Sequence, residues 1–155
     1  MSRIYTVQFN AVAVTAQQDF FEITAAAGKN CRILAVMLGQ TSDVGDAAEE
    51  MLSILFKSGA TTSGSGGTAP TIVRCNVTDA AAGFAAEANN TTKATAGTIV
   101  THHSDVFNVR SPYIWLPPER MQIELTGSRR FTVELATTPA DSLTCNGTIY
   151  VEEFG

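Results

Sequence analysis

The stretch "MLSILFKSGATTSGSGGTAPTI" (51–72) decides how the chain is read. Its first half places Leu52, Ile54 and Phe56 on one face and Ser53 and Lys57 on the other. That two-residue period is the mark of a half-buried β-strand. Its second half, 58–72, holds four glycines and no charged residue. A phosphate-binding loop would need GxxxxGK[ST], with a lysine after the last glycine and a helix start behind it. No lysine follows Gly67, and Pro70 leads into the extended "TIVRC". Gly64, Gly66 and Gly67 also lack the GxGxxG spacing. The stretch is therefore read as a long uncharged loop between two strands. Loops of this length in compact domains are usually functional or disordered, and this one is expected to be mobile in the free protein and ordered by a neighbour.

The same period runs outward in both directions. "RIYTVQF" (3–9) sets Tyr5, Val7 and Phe9 against Ile4, Thr6 and Gln8. "DFFEIT" (19–24) follows. "CRILAVMLGQ" (31–40) is nearly all apolar and predicts a central strand buried on both faces. "GTIVTHHSDVFNV" (97–109) reads as extended. "PYIWLPP" (112–118) is bracketed by prolines, which lack an N–H, and so predicts an edge strand or corner. "MQIELTG" and "RRFTVELA" predict a hairpin turning at "TGSRR", with Phe131, Val133 and Leu135 inward and Thr132 and Glu134 outward. "SLTCNGTIYVEEF" (142–154) closes the chain as a strand. Helix-friendly content is confined to 42–51 and 77–90, where Asp79 is a candidate cap for an alanine-rich turn. The expected fold is all-β: one antiparallel β-sandwich over residues 1–155, jelly-roll or a related Greek key, with little helix.

Composition narrows the functions. Charged residues are only 16 %, against about 25 % in an average soluble domain. Such a surface loses little solvation when another subunit covers it. The net charge is −5 and the densest basic spot is Arg129-Arg130. Phosphate neutralisation needs several cations on one face, so no direct nucleic-acid partner is expected. The longest apolar run, Ile33 to Leu38, is too short to span a bilayer, and the N-terminus has no signal-peptide h-region. The three cysteines, Cys31, Cys75 and Cys145, lack metal-ligand spacing. One disulfide with a spare thiol is open to them; three free, largely buried thiols is the favoured reading.

No constellation carries chemistry. His103 and Asp105 share a strand face in "HHSD", but a metal needs a third ligand and the only other histidine is His102. Asp43, Asp46, Glu49 and Glu50 cluster without Ca²⁺-loop spacing and read as a solvated acidic loop. No GxSxG elbow occurs. Glu152 and Glu153 point to opposite faces of a strand, which separates them as an acid/base pair. No catalytic residue, cofactor or metal is assigned, and the chain is not expected to be an enzyme. Trp115 is read either as a core plug or as an interface anchor.

The order of segments "YTVQFNAVAVTAQQDFFEI", "AVMLGQTSDVGDAAEEMLSILFKSGATTSGSGGTAPT", "AAEANNTTKATAGTIVTHHSDVFNV", "SPYIWLPPERMQI" and "DSLTCNGTIYVEEFG" resembles head decoration, or cement, proteins of tailed bacteriophages. The resemblance covers nearly the whole chain and rests on strands and loops, with no catalytic signature. It implies a β-sandwich on the outer surface of the virion, assembled in the host cytoplasm. It also implies a homotrimer that bridges major capsid protein subunits and stabilises the head. The alternative is a carbohydrate- or receptor-binding module of a phage fibre or spike, drawing on Trp115 and the polar loops.

Three regions are the expected contacts. Ile4, Tyr5, Val7 and Phe9 belong to a strand that would add to a neighbour's sheet. Thr62, Ser65 and Pro70 belong to the uncharged loop. Tyr113, Trp115 and Pro117 form the proline-bracketed corner.

Overall fold

The computed structural model describes residues 2–41 and 49–155. Eleven strands and one 3₁₀ turn, Glu119–Met121, make up its regular structure. The strands are β1 (Arg3–Val14), β2 (Gln18–Thr24), β3 (Asn30–Gln40), β4 (Met51–Thr62), β5 (Val73–Arg74) and β6 (Ala85–Asn90). They continue with β7 (Thr95–Asn108), β8 (Tyr113–Trp115), β9 (Ile123–Leu125), β10 (Arg130–Leu135) and β11 (Leu143–Phe154). Sheet A runs β5-β1-β11-β3-β8, with β9 also on β3. Sheet B runs β6-β2-β10-β4-β7. All pairings are antiparallel. The molecule is an all-β sandwich.

Alternation builds the core. Tyr5, Val7 and Phe9 from β1 and Ile149 and Val151 from β11 meet Phe21, Ile23, Ile54, Phe56, Phe131 and Val133 from sheet B. Strands β8 and β9 lie end to end along β3: Trp115 opposes Val36, and Ile123 opposes Ile33. Pro117 and Pro118 interrupt what would otherwise be one edge strand, because neither can donate to the ladder.

Three expectations change. β3 is not buried on both faces. Cys31, Ile33, Val36 and Leu38 enter the core, while Met37 is exposed and Leu34 half-buried. Only one face of a two-layer sandwich meets the other sheet, and Leu34 sits at a bulge opposite Tyr150/Val151. The expected hairpin over 121–135 is absent. β9 pairs with β3 in sheet A, and β10 pairs with β2 and β4 in sheet B. "TGSRR" is a crossing between sheets, pinned by Ala25 N–H to the Arg129 carbonyl and Ser128 N–H to the Ala25 carbonyl, both 3.0 Å. The alanine-rich 77–90 segment is not helical. Asn76, rather than Asp79, organises a turn there by accepting from the Thr78 N–H and hydroxyl. β6 then follows, with Ala86 and Ala88 packed into the core. Residues 42–48, the rest of the helix-friendly sequence with Asp43 and Asp46, lie outside the described residues.

Candidate interaction surfaces

The uncharged loop is the first surprise. It was expected to await a neighbour, and the chain itself fastens it. Ser65 and Thr92 exchange two backbone hydrogen bonds of 2.9 Å, and Thr68 exchanges two with Ala88. The Ser63 hydroxyl and Gly64 N–H both donate to the Glu22 carboxylate, at 2.6 and 2.9 Å. Residues 63–68 thus leave β4, cross the outer face of sheet B and bridge to β6. Residues 91–94 cross back toward β7 beside them.

These two crossings cover a polar layer. Glu22 is 2 % exposed and also accepts from Arg130 Nε at 2.6 Å. Glu134 takes Lys57 Nζ at 2.5 Å and Lys93 Nζ at 3.0 Å. Burial works against the Glu134 carboxylate, yet these two ammonium groups hold its pKa below the ordinary value. Asp19 Oδ2 accepts the Ala94 N–H at 2.7 Å. Thr132 and Glu134 do point away from the core, as the period requires, but both are buried there, beneath the crossings, Lys93 and the β4 residue Lys57.

The glycines explain the close fit. A Cβ on Gly67 would run into the Ala88 carbonyl and the Asn90 side chain, and one on Gly64 would stand 2.7 Å from the Thr92 carbonyl. Gly67→Ala is therefore expected to lower stability by about 1–3 kcal/mol through enforced displacement. A urea midpoint unchanged from wild type would show the crossing to be looser than drawn.

The predicted contact residues separate cleanly. Ile4 is exposed, but Tyr5, Val7 and Phe9 are buried in this chain's own core. Their side chains are not free to meet a partner, because they form the inward face of β1. The β1 edge at that point is also taken: β5 pairs with Tyr5 and Thr6, and the Cys75 N–H reaches the Ile4 carbonyl. Thr62 and Ser65 are exposed and Pro70 half-buried. Tyr113 is buried. Burial raises its hydroxyl pKa, and the Asp105 charge adds to that. Pro117 and Trp115 are half-buried. Trp115 is mainly a core plug: its ring stands edge-on to Phe56 at 4.9 Å and tilts against His103 at 5.9 Å.

Two exposed apolar surfaces stand out, one on β7, which was not expected, and one at the proline-bracketed corner. β7 is exposed at eleven of its fourteen residues, all but His103, Phe107 and Asn108. Among the described residues it pairs with β4 alone, and it presents Ile99, Val100 and Val106 to solvent. Asp105 is the one residue within it that is Asp, Glu, Lys or Arg. The second surface surrounds β8. Ile114, Leu116 and Met121 are each more than 60 % exposed, beside a groove lined by Met37, Tyr113, Ile114 and Gly147. The signal for β7 lay in its composition, a long extended run with no lysine, arginine or proline.

His103 Nε2 lies 3.3 Å from Asp105 Oδ2, and His102 Nε2 lies 2.7 Å from the Ser58 hydroxyl. The Asp105 carboxylate pKa is lowered, first by the Val106 N–H and then by His103. Among the described residues no group of three or more His, Cys, Asp or Glu side chains could hold a metal. Glu50 accepts the Ala140 N–H at 2.6 Å. All three cysteines are free. Burial pushes the thiols of Cys31 and Cys145 up to about 12 and about 11, whereas Cys75 is exposed. Among the described residues no helix is long and apolar enough to cross a membrane. No family model matches the chain, and comparisons with curated proteins and with solved structures return no match.

Proposed function

We propose that this protein decorates the outside of a tailed-phage head, as a homotrimer that bridges major capsid subunits and stabilises the shell. The observation that carries the reading is β7, a long, nearly uncharged edge strand on a sandwich whose 63–68 and 91–94 crossings are fastened internally. A sandwich with a long exposed edge strand suits attachment to other protein subunits. The low charge fraction of the chain and the exposed apolar side chains around β8 point the same way. The finer topology belongs to this proposal as well. Without β5 and β6, the sheets read β1-β11-β3-(β8, β9) and β2-β10-β4-β7. That order supports a jelly roll with a two-strand insertion between β4 and β7.

The alternative, a carbohydrate- or receptor-binding module, draws on Trp115 and the long polar loops. The packing of that ring against Phe56 weakens it.

The test combines solution mass with shell binding. Light scattering should give a trimer, and the protein should saturate expanded heads assembled without it. Hydrogen exchange should then slow in β7 and around β8. A monomer at high concentration that fails to bind such heads would end the proposal.

A further inference from the structure

We propose that Asp19 is an acid-held latch on the crossing segment 91–94: protonated it keeps the segment closed, and ionised it loosens it. This stands apart from the decoration reading.

The geometry comes first. Asp19 is 1 % exposed. One carboxyl oxygen, Oδ2, holds the Ala94 N–H at 2.7 Å. The other, Oδ1, is buried without a hydrogen-bond partner among the described residues. A buried carboxylate oxygen with nothing donating to it is costly, whereas a carboxylic acid leaves less charge to solvate.

The neighbours set the sign. From β10, Glu134 lies directly opposite Asp19 in register. From its own strand, Glu22 adds a second negative charge. From β6, Asn90 faces it in register, but its amide donates to Glu22 and Glu87. The cations are spent elsewhere. Lys57 and Lys93 bond Glu134, Lys93 also reaches Gln17, and Arg130 bonds Glu22. Burial, chiefly, raises the Asp19 pKa to about 7; the Ala94 N–H and Lys93 oppose the rise, and Glu134 and Glu22 add to it.

A raised folded pKa means that protonation favours the closed form. The latch contribution is complete below the ordinary aspartate range, near pH 4. It declines as pH rises and is gone once pH has passed through about 7. The affected segment matters because it leads directly into β7, the exposed edge.

Amide exchange at Ala94, divided by the intrinsic rate at each pH, reads the latch. In the wild type the opening constant should rise roughly tenfold per pH unit between about pH 5 and 6.5, then level off above neutrality, as linkage of one proton requires. Asp19→Asn keeps an acceptor for Ala94 and removes the titration, so its corrected exchange should be flat. Carbon-13 titration of the Asp19 carboxyl in the unmodified protein supplies an independent reading if the variant does not fold. A flat wild-type profile, a carboxyl midpoint near 4, or unchanged pH dependence in Asp19→Asn would each overturn the proposal.

Discussion

Glu22→Ala is expected to cost about 3–5 kcal/mol, because it strands a cation and two crossing-segment donors at once. Arg130 Nε, the Ser63 hydroxyl, the Gly64 N–H and the Asn90 amide all converge on this one carboxylate. Domains of this size hold on the order of 5–15 kcal/mol, so the loss is a large fraction of the whole. Glu22→Gln removes the charge and half of the acceptors. Its one amide oxygen serves either Ser63 and Arg130 or Gly64 and Asn90, not both pairs, and it should cost less than Glu22→Ala, about 1–3 kcal/mol. The double change Glu22→Leu with Arg130→Met removes both partners and should recover much of the loss. Urea unfolding of the three variants forms a near-cycle on one buried pair. If Glu22→Ala cost under 1 kcal/mol, the polar layer would be hydrated and the crossings would not be seated as described.

That layer also marks where sequence reasoning stops. Alternation in 51–58 correctly puts Leu52, Ile54 and Phe56 inward. In 131–135 it correctly puts Thr132 and Glu134 on the opposite face. Period tells a side chain which face of its own strand it occupies. It does not tell what lies on that face. Glu22, Glu134 and Asp19 look solvated because the segments that bury them are 41 or more residues away from Glu22 in sequence. The same limit produced the false hairpin. β9 and β10 have matching periods and a turn-like link, and only the pairing of Ile123 with Ile33 assigns β9 to the other sheet.

Local propensity failed for a different reason. Alanine favours helix, and 77–90 is rich in it. Tertiary context overrides that preference. Glu153, buried on β11, accepts the Gly83 and Phe84 N–H groups at 2.8 and 3.0 Å. Phe84 is thereby seated edge-on to Tyr5 at 5.6 Å, and β6 is delivered to the edge of β2. The proline corner, in contrast, was legible, since a missing N–H excludes a central strand whatever the surroundings.

Phe56→Ala is the second large effect, expected at about 3–5 kcal/mol. Phe56 is fully buried and joins both sheets. Its ring meets Phe131 of β10 at 5.8 Å, His103 of β7 at 5.2 Å, and Trp115 and Tyr113 of β8 at 4.9 and 6.5 Å. Truncation leaves a cavity that these rings cannot fill without leaving their own strands. Trp115 is the only tryptophan, so its fluorescence reports on this site directly. The native emission should shift toward the red in Phe56→Ala while the far-ultraviolet spectrum stays β-like. Phe56→Leu, which fills more of the space, should fall between the variant and wild type. β7 should respond most, because among the described residues it pairs with β4 alone and Phe56 is where its His103 is anchored. Amide protection along β7 is therefore expected to fall further than along β10, which keeps a partner on each side. Equal losses on the two strands would mean that β7 unfolds only with the whole sandwich, and that its exposed edge is rigid enough to be presented without help from a partner.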